Sequence, residues 1–209
     1  MENRKQEIKS RKNKYIRIGI IPGHFATNHS HVNYYVDMTS IKTSSKMAKE
    51  AAEELAAVYN STHIETIICL EGTEVLGAFL ARELSSSGIN NGVDVKVVTP
   101  ELNANNQLIF RDNTQKLIWG KQVVVLVSSV STGKTIERTL DCLRYYNGQL
   151  AGIAAIFSAI EETYGVKVNA IFSADELPEY KSCPGEQCGM CKNGVKVDAL
   201  INSFGYSKL

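Results

Sequence analysis

The sequence predicts an α/β fold built on a mainly parallel central sheet flanked by helices. Two observations carry this reading. Short apolar runs at 64–70 (IETIICL), 122–127 (QVVVLV), 150–158 and 166–173 have the length and composition of buried strands. Segments of helical character lie between them, at 41–59, from Glu74 to Leu84 and from about Thr135 to Tyr146. Strands that alternate with helices imply parallel pairing with both sheet faces covered.

Each element has its own signal. In 41–59, Met47, Ala51, Leu55 and Val58 recur on one face, and Lys49, Glu50, Glu53 and Glu54 occupy the other. Residues 93–99 (VDVKVVT) alternate and then run apolar, which predicts a strand. Residues 100–121 are polar and aperiodic apart from a small apolar patch at 108–110, so a long loop or irregular hairpin is expected. The helix ending near Tyr146 is followed by Asn147-Gly148, a pair suited to a C-terminal cap. The last thirty-odd residues, with their Gly, Cys and Pro, read as irregular.

The 209 residues are enough for one sizeable core, and neither repeat nor linker divides them. The expectation is a single domain over 1–209, with a basic arm at 1–17 and a cysteine-containing tail at 178–209 as appendages. In the arm Arg4, Lys5, Lys9, Arg11, Lys12, Lys14 and Arg17 outnumber Glu2 and Glu7. The net charge of +1 gives no global field towards nucleic acid or an anionic membrane, so neither is an expected partner. No run is long enough to span a bilayer and no apolar block follows the basic start, so the cytoplasm is the expected location. Five cysteines fit that compartment as free thiols or metal ligands.

The strongest local signal is VVVLVSSVSTGKT, residues 123–135. A buried strand leads into small hydroxyl residues and Gly133, and a helix starts at once. Backbone N–H groups, hydroxyls and the positive end of a helix then converge where a phosphate could sit. Thr132-Gly133-Lys134-Thr135 matches the end of the GxxxxGK[ST] pattern of P-loop nucleotide-binding proteins. Ser128 stands where that pattern opens with glycine, and no later strand ends in a clear magnesium-binding aspartate.

The order of motifs over roughly residues 25–200 resembles the type I phosphoribosyltransferases, the orotate enzymes in particular. Asn33-Tyr34-Tyr35-Val36-Asp37 resembles the family's early aromatic segment, and residues 65–81 resemble its strand, pyrophosphate loop and helix. Residues 107–127 are similar to the stretch from its flexible loop into the phosphate-loop strand, and 148–158 to the next strand. The resemblance implies a phosphoribosyltransferase-type sheet with an N-terminal hood. It implies a 5′-phosphate on Ser131, Thr132, Gly133, Lys134 and Thr135, and ribose beside Ser128 and Ser129. Pyrophosphate would lie on Glu71, Gly72 and Thr73, and a base near Tyr34 and Tyr35. It also implies magnesium, a small phosphoribosyl or nucleotide ligand, transfer to a pyrimidine-like base, and a homodimer.

The chain departs from that pattern in three places. Ser128-Ser129 replaces an acidic pair that would stabilise positive charge on the sugar; serine forms hydrogen bonds but carries no charge. The flexible loop keeps only Arg111 as a cation, the sole catalytic candidate there, and Thr27 stands where a lysine is expected. Glu71 and Glu74 bring negative charge to the pyrophosphate position, unfavourable unless magnesium intervenes. Three readings stay open: an enzyme with the family's reaction, a catalytically impaired ligand-binding or regulatory homologue, or a P-loop-type nucleotide-binding protein.

Cys183, Cys188 and Cys191 form a last cluster, with four and then two intervening residues. The CxxC spacing suits two thiolates on one zinc, making these three candidate zinc ligands. A fourth ligand would come from His24, His29, His31, His63 or a second subunit; the other reading is free thiols in a turn-rich tail.

Overall fold

The computed structural model describes residues 1–104 and 107–209. In chain order the elements are β1 (Gln6–Lys9), β2 (Arg17–Ala26), β3 (His31–Asp37), α1 (Thr39–Thr43), α2 (Ser45–Ala56), β4 (Thr66–Cys69), α3 (Glu74–Ser86) and β5 (Lys96–Val98). There follow β6 (Glu101–Leu102), β7 (Leu108–Ile109), α4 (Asp112–Gln115), β8 (Gln122–Val130), α5 (Lys134–Tyr145), β9 (Gln149–Ser158) and β10 (Glu162–Thr163). β11 (Val166–Ser173), β12 (Ser182–Cys183), α6 (Gly189–Lys192), β13 (Ala199–Asn202) and β14 (Gly205–Lys208) complete the chain.

The central sheet has the order β10-β11-β9-β8-β4-β5, parallel throughout except for β10 at one edge. The continuous apolar run of β8 follows from its central place, because side chains alternate between two covered faces. Val124 and Leu126 join Ile67, Leu76 and Leu80 in one core. Val123, Val125 and Val127 join Ile68, Ile136 and Leu143 in the other. The strand runs on through Val130, with Ser129 opposite Phe157, so Ser128-Ser129 belong to the strand end rather than to a loop.

The stretch expected as one helix over 41–59 is divided. Ser44 adopts extended backbone and its hydroxyl accepts from the Met47 N–H at 3.3 Å, an N-cap that ends α1 and starts α2. The buried stripe of α2 is Ala48, Ala51, Ala52 and Leu55. Val58 is exposed because the chain tightens into a 3₁₀ turn that buries Tyr59 instead. The irregular hairpin expected within 100–121 is β6–β7 with α4 after it; Asn105 and Asn106 of that stretch lie outside the described residues.

Both appendages are built into a second sheet, ordered β12-β3-β2-β13-β14, with β1 also on β2. The basic arm is held there: β1 pairs antiparallel with β2, Lys5 bonds Asp37 at 2.6 Å, and Arg4 bonds Asp198 at 2.8 Å. The tail, expected to be irregular, supplies β12 to one edge and β13, parallel to the end of β2, to the other side. This sheet is the hood. It stands over the carboxyl ends of the central strands, where open α/β sheets bind ligands.

Candidate functional site

A cleft of about 570 Å³ separates hood from central sheet. Its floor is the turn between β8 and α5. Gly133 is the N-cap of α5 with φ 79°, a left-handed conformation natural to glycine. A Cβ there would lie 2.6 Å from Thr163 Oγ1, so close packing also requires glycine. No side chain caps this helix end, and its first-turn N–H groups have no intrahelical partner. Ser131, Thr132, Lys134 and Thr135 line the cleft with Gly133, and Arg138 adds a second cation one turn on. Backbone donors, hydroxyls and two cationic side chains are gathered here, chemistry suited to an anion.

The turn after β4 forms the adjoining wall. Glu71 and Gly72 both have positive φ, 60° and 78°, and both line the cleft. Thr73 faces inward, where its hydroxyl donates to the Leu70 carbonyl at 2.9 Å and the Leu126 carbonyl at 3.2 Å, pinning the turn. The left-handed Glu71 backbone throws its carboxylate across to the next strand. Ser128 Oγ donates to Glu71 Oε2 at 2.6 Å, and Thr135 Oγ1 approaches Glu71 Oε1 at 3.4 Å. Ser128 is fully buried, and Ser129 alone of the pair reaches the cleft.

Lys42 enters from α1. Its ammonium donates to the Ser203 carbonyl and lies 5.4 Å from the Phe204 ring centre. Burial lowers its pKa, and the charges of Glu71 and Glu74 draw it back up. Tyr34 and Tyr35 line the hood side. Tyr35 packs against Phe25 and Tyr206, and burial pushes its hydroxyl up to about 12. Cys69 on the floor is likewise pushed to about 12 by burial, so it is a packed thiol rather than a nucleophile.

No family profile matches the chain. It is 24% identical over 183 residues to an orotate phosphoribosyltransferase of Chlorobaculum parvum, covering 86% of the chain and 88% of that relative. It is 22% identical over 176 residues to one from Caldanaerobacter subterraneus subsp. tengcongensis, with 83% and 85% covered. Among solved structures, UMP synthase of Leishmania donovani superposes with a TM-score of 0.57 at 16% identity, over 76% of this chain and 34% of that one. An orotate phosphoribosyltransferase of Mycobacterium tuberculosis, in complex with 5-phospho-α-D-ribosyl 1-diphosphate, gives a TM-score of 0.52 at 12% identity, with 69% and 83% covered. The chain has the type I phosphoribosyltransferase fold and is orotate phosphoribosyltransferase-like in sequence.

Within that phosphoribosyltransferase fold, the cleft gathers most of the residues that the sequence singled out and leaves six elsewhere: Arg111, Thr73, Ser128 and the three tail cysteines. Arg111 points back along its own hairpin, holding Glu101 with Nη2 at 2.6 Å and Nε at 3.0 Å, so it takes no part in the cleft. Thr73 and Ser128 support the walls from inside. Arg138 and the stretch 201–204 line the cleft, Lys42 packs beside Gly72 at its edge, and the sequence reading missed them. Lys42 was hidden inside an apparently continuous helix; the paired serines at 44 and 45 were the signal for a break. Cys188 and Cys191 converge with His24 and His31 behind the hood, while Cys183 falls outside that group of four. The two histidines are in or beside strands rather than in a solvated loop, and His24 is buried. His29 lines the cleft instead.

Proposed function

We propose that the cleft binds a 5′-phosphoribosyl ligand, phosphoribosyl pyrophosphate or a nucleoside 5′-monophosphate, and transfers the phosphoribosyl group to or from a pyrimidine-like base. The observation that carries this is the convergence on one cleft of the α5 N-terminal turn, the Glu71-Gly72 turn and the tyrosines of β3. The phosphate would rest on residues 131–135, with Lys134 and Arg138 supplying charge. The pyrophosphate would lie on the Glu71-Gly72 turn with Lys42 beside it, and the base against Tyr34 and Tyr35.

The donor set fits magnesium. Glu71 and Glu74 are carboxylates at the pyrophosphate wall, and magnesium favours one or two carboxylates together with ligand phosphates and water. Bound there, the ion would neutralise the departing pyrophosphate. Glu71 and Glu74 would hold it, and Lys42 would offset the remaining charge. Glu71 also answers the lost acidic pair in part: its carboxylate lines the cleft and is held by Ser128 at the strand end where the pair would stand. One carboxylate in place of two lowers the stabilisation of a developing sugar cation, which makes transfer slower than binding would allow. The resemblance to orotate phosphoribosyltransferases supports a homodimer acting in the cytoplasm.

The second reading, a ligand-binding homologue without turnover, is favoured by the same Ser128-Ser129 pair. Titration with phosphoribosyl pyrophosphate and magnesium, followed by an assay of pyrophosphate release with orotate, separates the two. Binding heat with steady release supports the transferase. Binding heat without release supports the ligand-binding homologue. No binding heat refutes both.

A further inference from the structure

We propose that His24, His31, Cys188 and Cys191 form a tetrahedral zinc site that fastens the β2–β3 hairpin to the C-terminal tail. Their candidate ligand atoms all lie within 4.8 Å of one another. His24 Nε2 is 2.9 Å from His31 Nδ1, 3.5 Å from Cys188 Sγ and 3.6 Å from Cys191 Sγ, and Cys191 Sγ is 3.3 Å from His31 Nδ1. A tetrahedron with Zn–N of about 2.0 Å and Zn–S of about 2.3 Å has ligand–ligand edges of roughly 3.3–3.8 Å. Three of these separations fall on such edges and the His24–His31 one is shorter, so a small opening of the two rings would set all four atoms around one zinc, and two imidazoles with two thiolates are a structural zinc set.

The surroundings orient the ligands. β2 carries an irregularity between Pro22 and Phe25, which takes His24 out of the ladder. Its N–H goes to Asp198 Oδ2 at 2.9 Å and its carbonyl accepts from the Asp198 N–H at 2.7 Å. His24 Nδ1 lies 2.9 Å from the Val195 carbonyl. A proton donated there leaves the Nε2 lone pair directed at the cluster, the usual outer support of a metal-bound imidazole. The backbone N–H groups of Cys191 and Met190 hydrogen-bond the Cys188 sulfur and hold it towards the cluster. Binding would release the thiol protons as the two Zn–S bonds form.

The site bridges segments about 160 residues apart in sequence. One is the hairpin whose tip, residues 27–29, lines the cleft; the other is the tail whose residues 201–204 line it too. The metal would fix both hood walls to each other without touching a cleft ligand. The inference does not depend on the proposed activity, because zinc is read without any nucleotide.

The test is metal content by mass spectrometry after exposure of the full chain to excess zinc and desalting. One zinc per chain is expected in the parent and in Cys183→Ser. At least a tenfold loss is expected in Cys191→Ser, His31→Asn and the Cys188→Ser/Cys191→Ser pair. Should a variant fail to fold, the parent alone decides. A strong chelator should release one equivalent and lower its Tm by several degrees, and cobalt loading should give the visible bands of a tetrahedral thiolate site. A parent holding under a tenth of an equivalent, full loading of the double cysteine variant, or loss of zinc in Cys183→Ser would overturn the proposal.

Discussion

Replacing Gly133 with alanine tests the phosphate turn from two sides at once. Gly133 holds φ 79°, and an L-residue pays about 1–2 kcal/mol to adopt it. The added Cβ would also stand 2.6 Å from Thr163 Oγ1, 3.5 Å from Thr163 Cβ and 3.8 Å from Ile160 Cδ1. Only the first contact is a clash, but Thr163 is buried in β10 and cannot swing clear. Forced overpacking of this kind costs roughly 1–3 kcal/mol. The total of about 2–5 kcal/mol should appear as a lowered urea midpoint with an unchanged slope. Gly133→Ala with Thr163→Ala removes the clash and keeps the φ cost, so about half of the loss should return relative to Thr163→Ala alone. Affinity for phosphoribosyl pyrophosphate should stay down tenfold or more in both, since the turn that aims the N–H groups has changed. A Gly133→Ala protein with parental stability would show that neither the φ cost nor the clash operates at this turn, and a double variant no better than the single one would show that the clash does not.

Glu71→Gln keeps the bond to Ser128 but removes the charge, so magnesium-dependent affinity for phosphoribosyl pyrophosphate should fall roughly ten- to a hundredfold by calorimetry, a loss of about 1.4–2.7 kcal/mol. Lys42→Met keeps the packing near Phe204 and loses the cation beside Gly72; it should weaken phosphoribosyl pyrophosphate about tenfold more than a nucleoside 5′-monophosphate, which has no pyrophosphate. Ser129→Asp faces the cleft and should tighten magnesium-dependent binding, whereas Ser128→Asp meets the Glu71 carboxylate and should destabilise the fold by thermal denaturation. Asp37 gives a pH signature: burial works to raise its carboxyl, but hydrogen bonds from Lys5 and Thr39 hold it below the ordinary range. A folded pKa below the unfolded one gives stability that is complete above about pH 4 and disappears as the pH falls through the folded value. Asp37→Asn should therefore flatten the stability curve below about pH 4.

The central sheet was legible because its strands are buried on both faces, and a continuous apolar run such as 123–127 suits few places in a fold besides the middle of a covered sheet. The strand–turn–helix around Gly133 was legible for a similar reason: Gly133 and its hydroxyl neighbours sit directly between a strand and a helix. The hood was not. β12, β13 and β14 are two to four residues long, and their pairing partners lie more than 150 positions away for β12 and β13, beyond any local pattern. The basic arm misled because cationic side chains flanking a short strand look the same as solvated ones until Asp37, Asp175 and Asp198 are found opposite them. Glu71 read as an unfavourable charge; its left-handed backbone and its bond to Ser128 turn it into a support for the strand end that lost its acids. Cys188 and Cys191 carried a recognisable spacing, but their partners could be chosen from four histidines only once β2 and β3 were paired.

A crystal structure grown with magnesium and phosphoribosyl pyrophosphate probes the cleft itself. The 5′-phosphate is expected within hydrogen-bond distance of the backbone N–H groups of residues 132–135, with the pyrophosphate towards Gly72 and Lys42. A phosphate bound elsewhere, or a cleft left empty at saturating ligand, would contradict a phosphoribosyl site at the α5 turn.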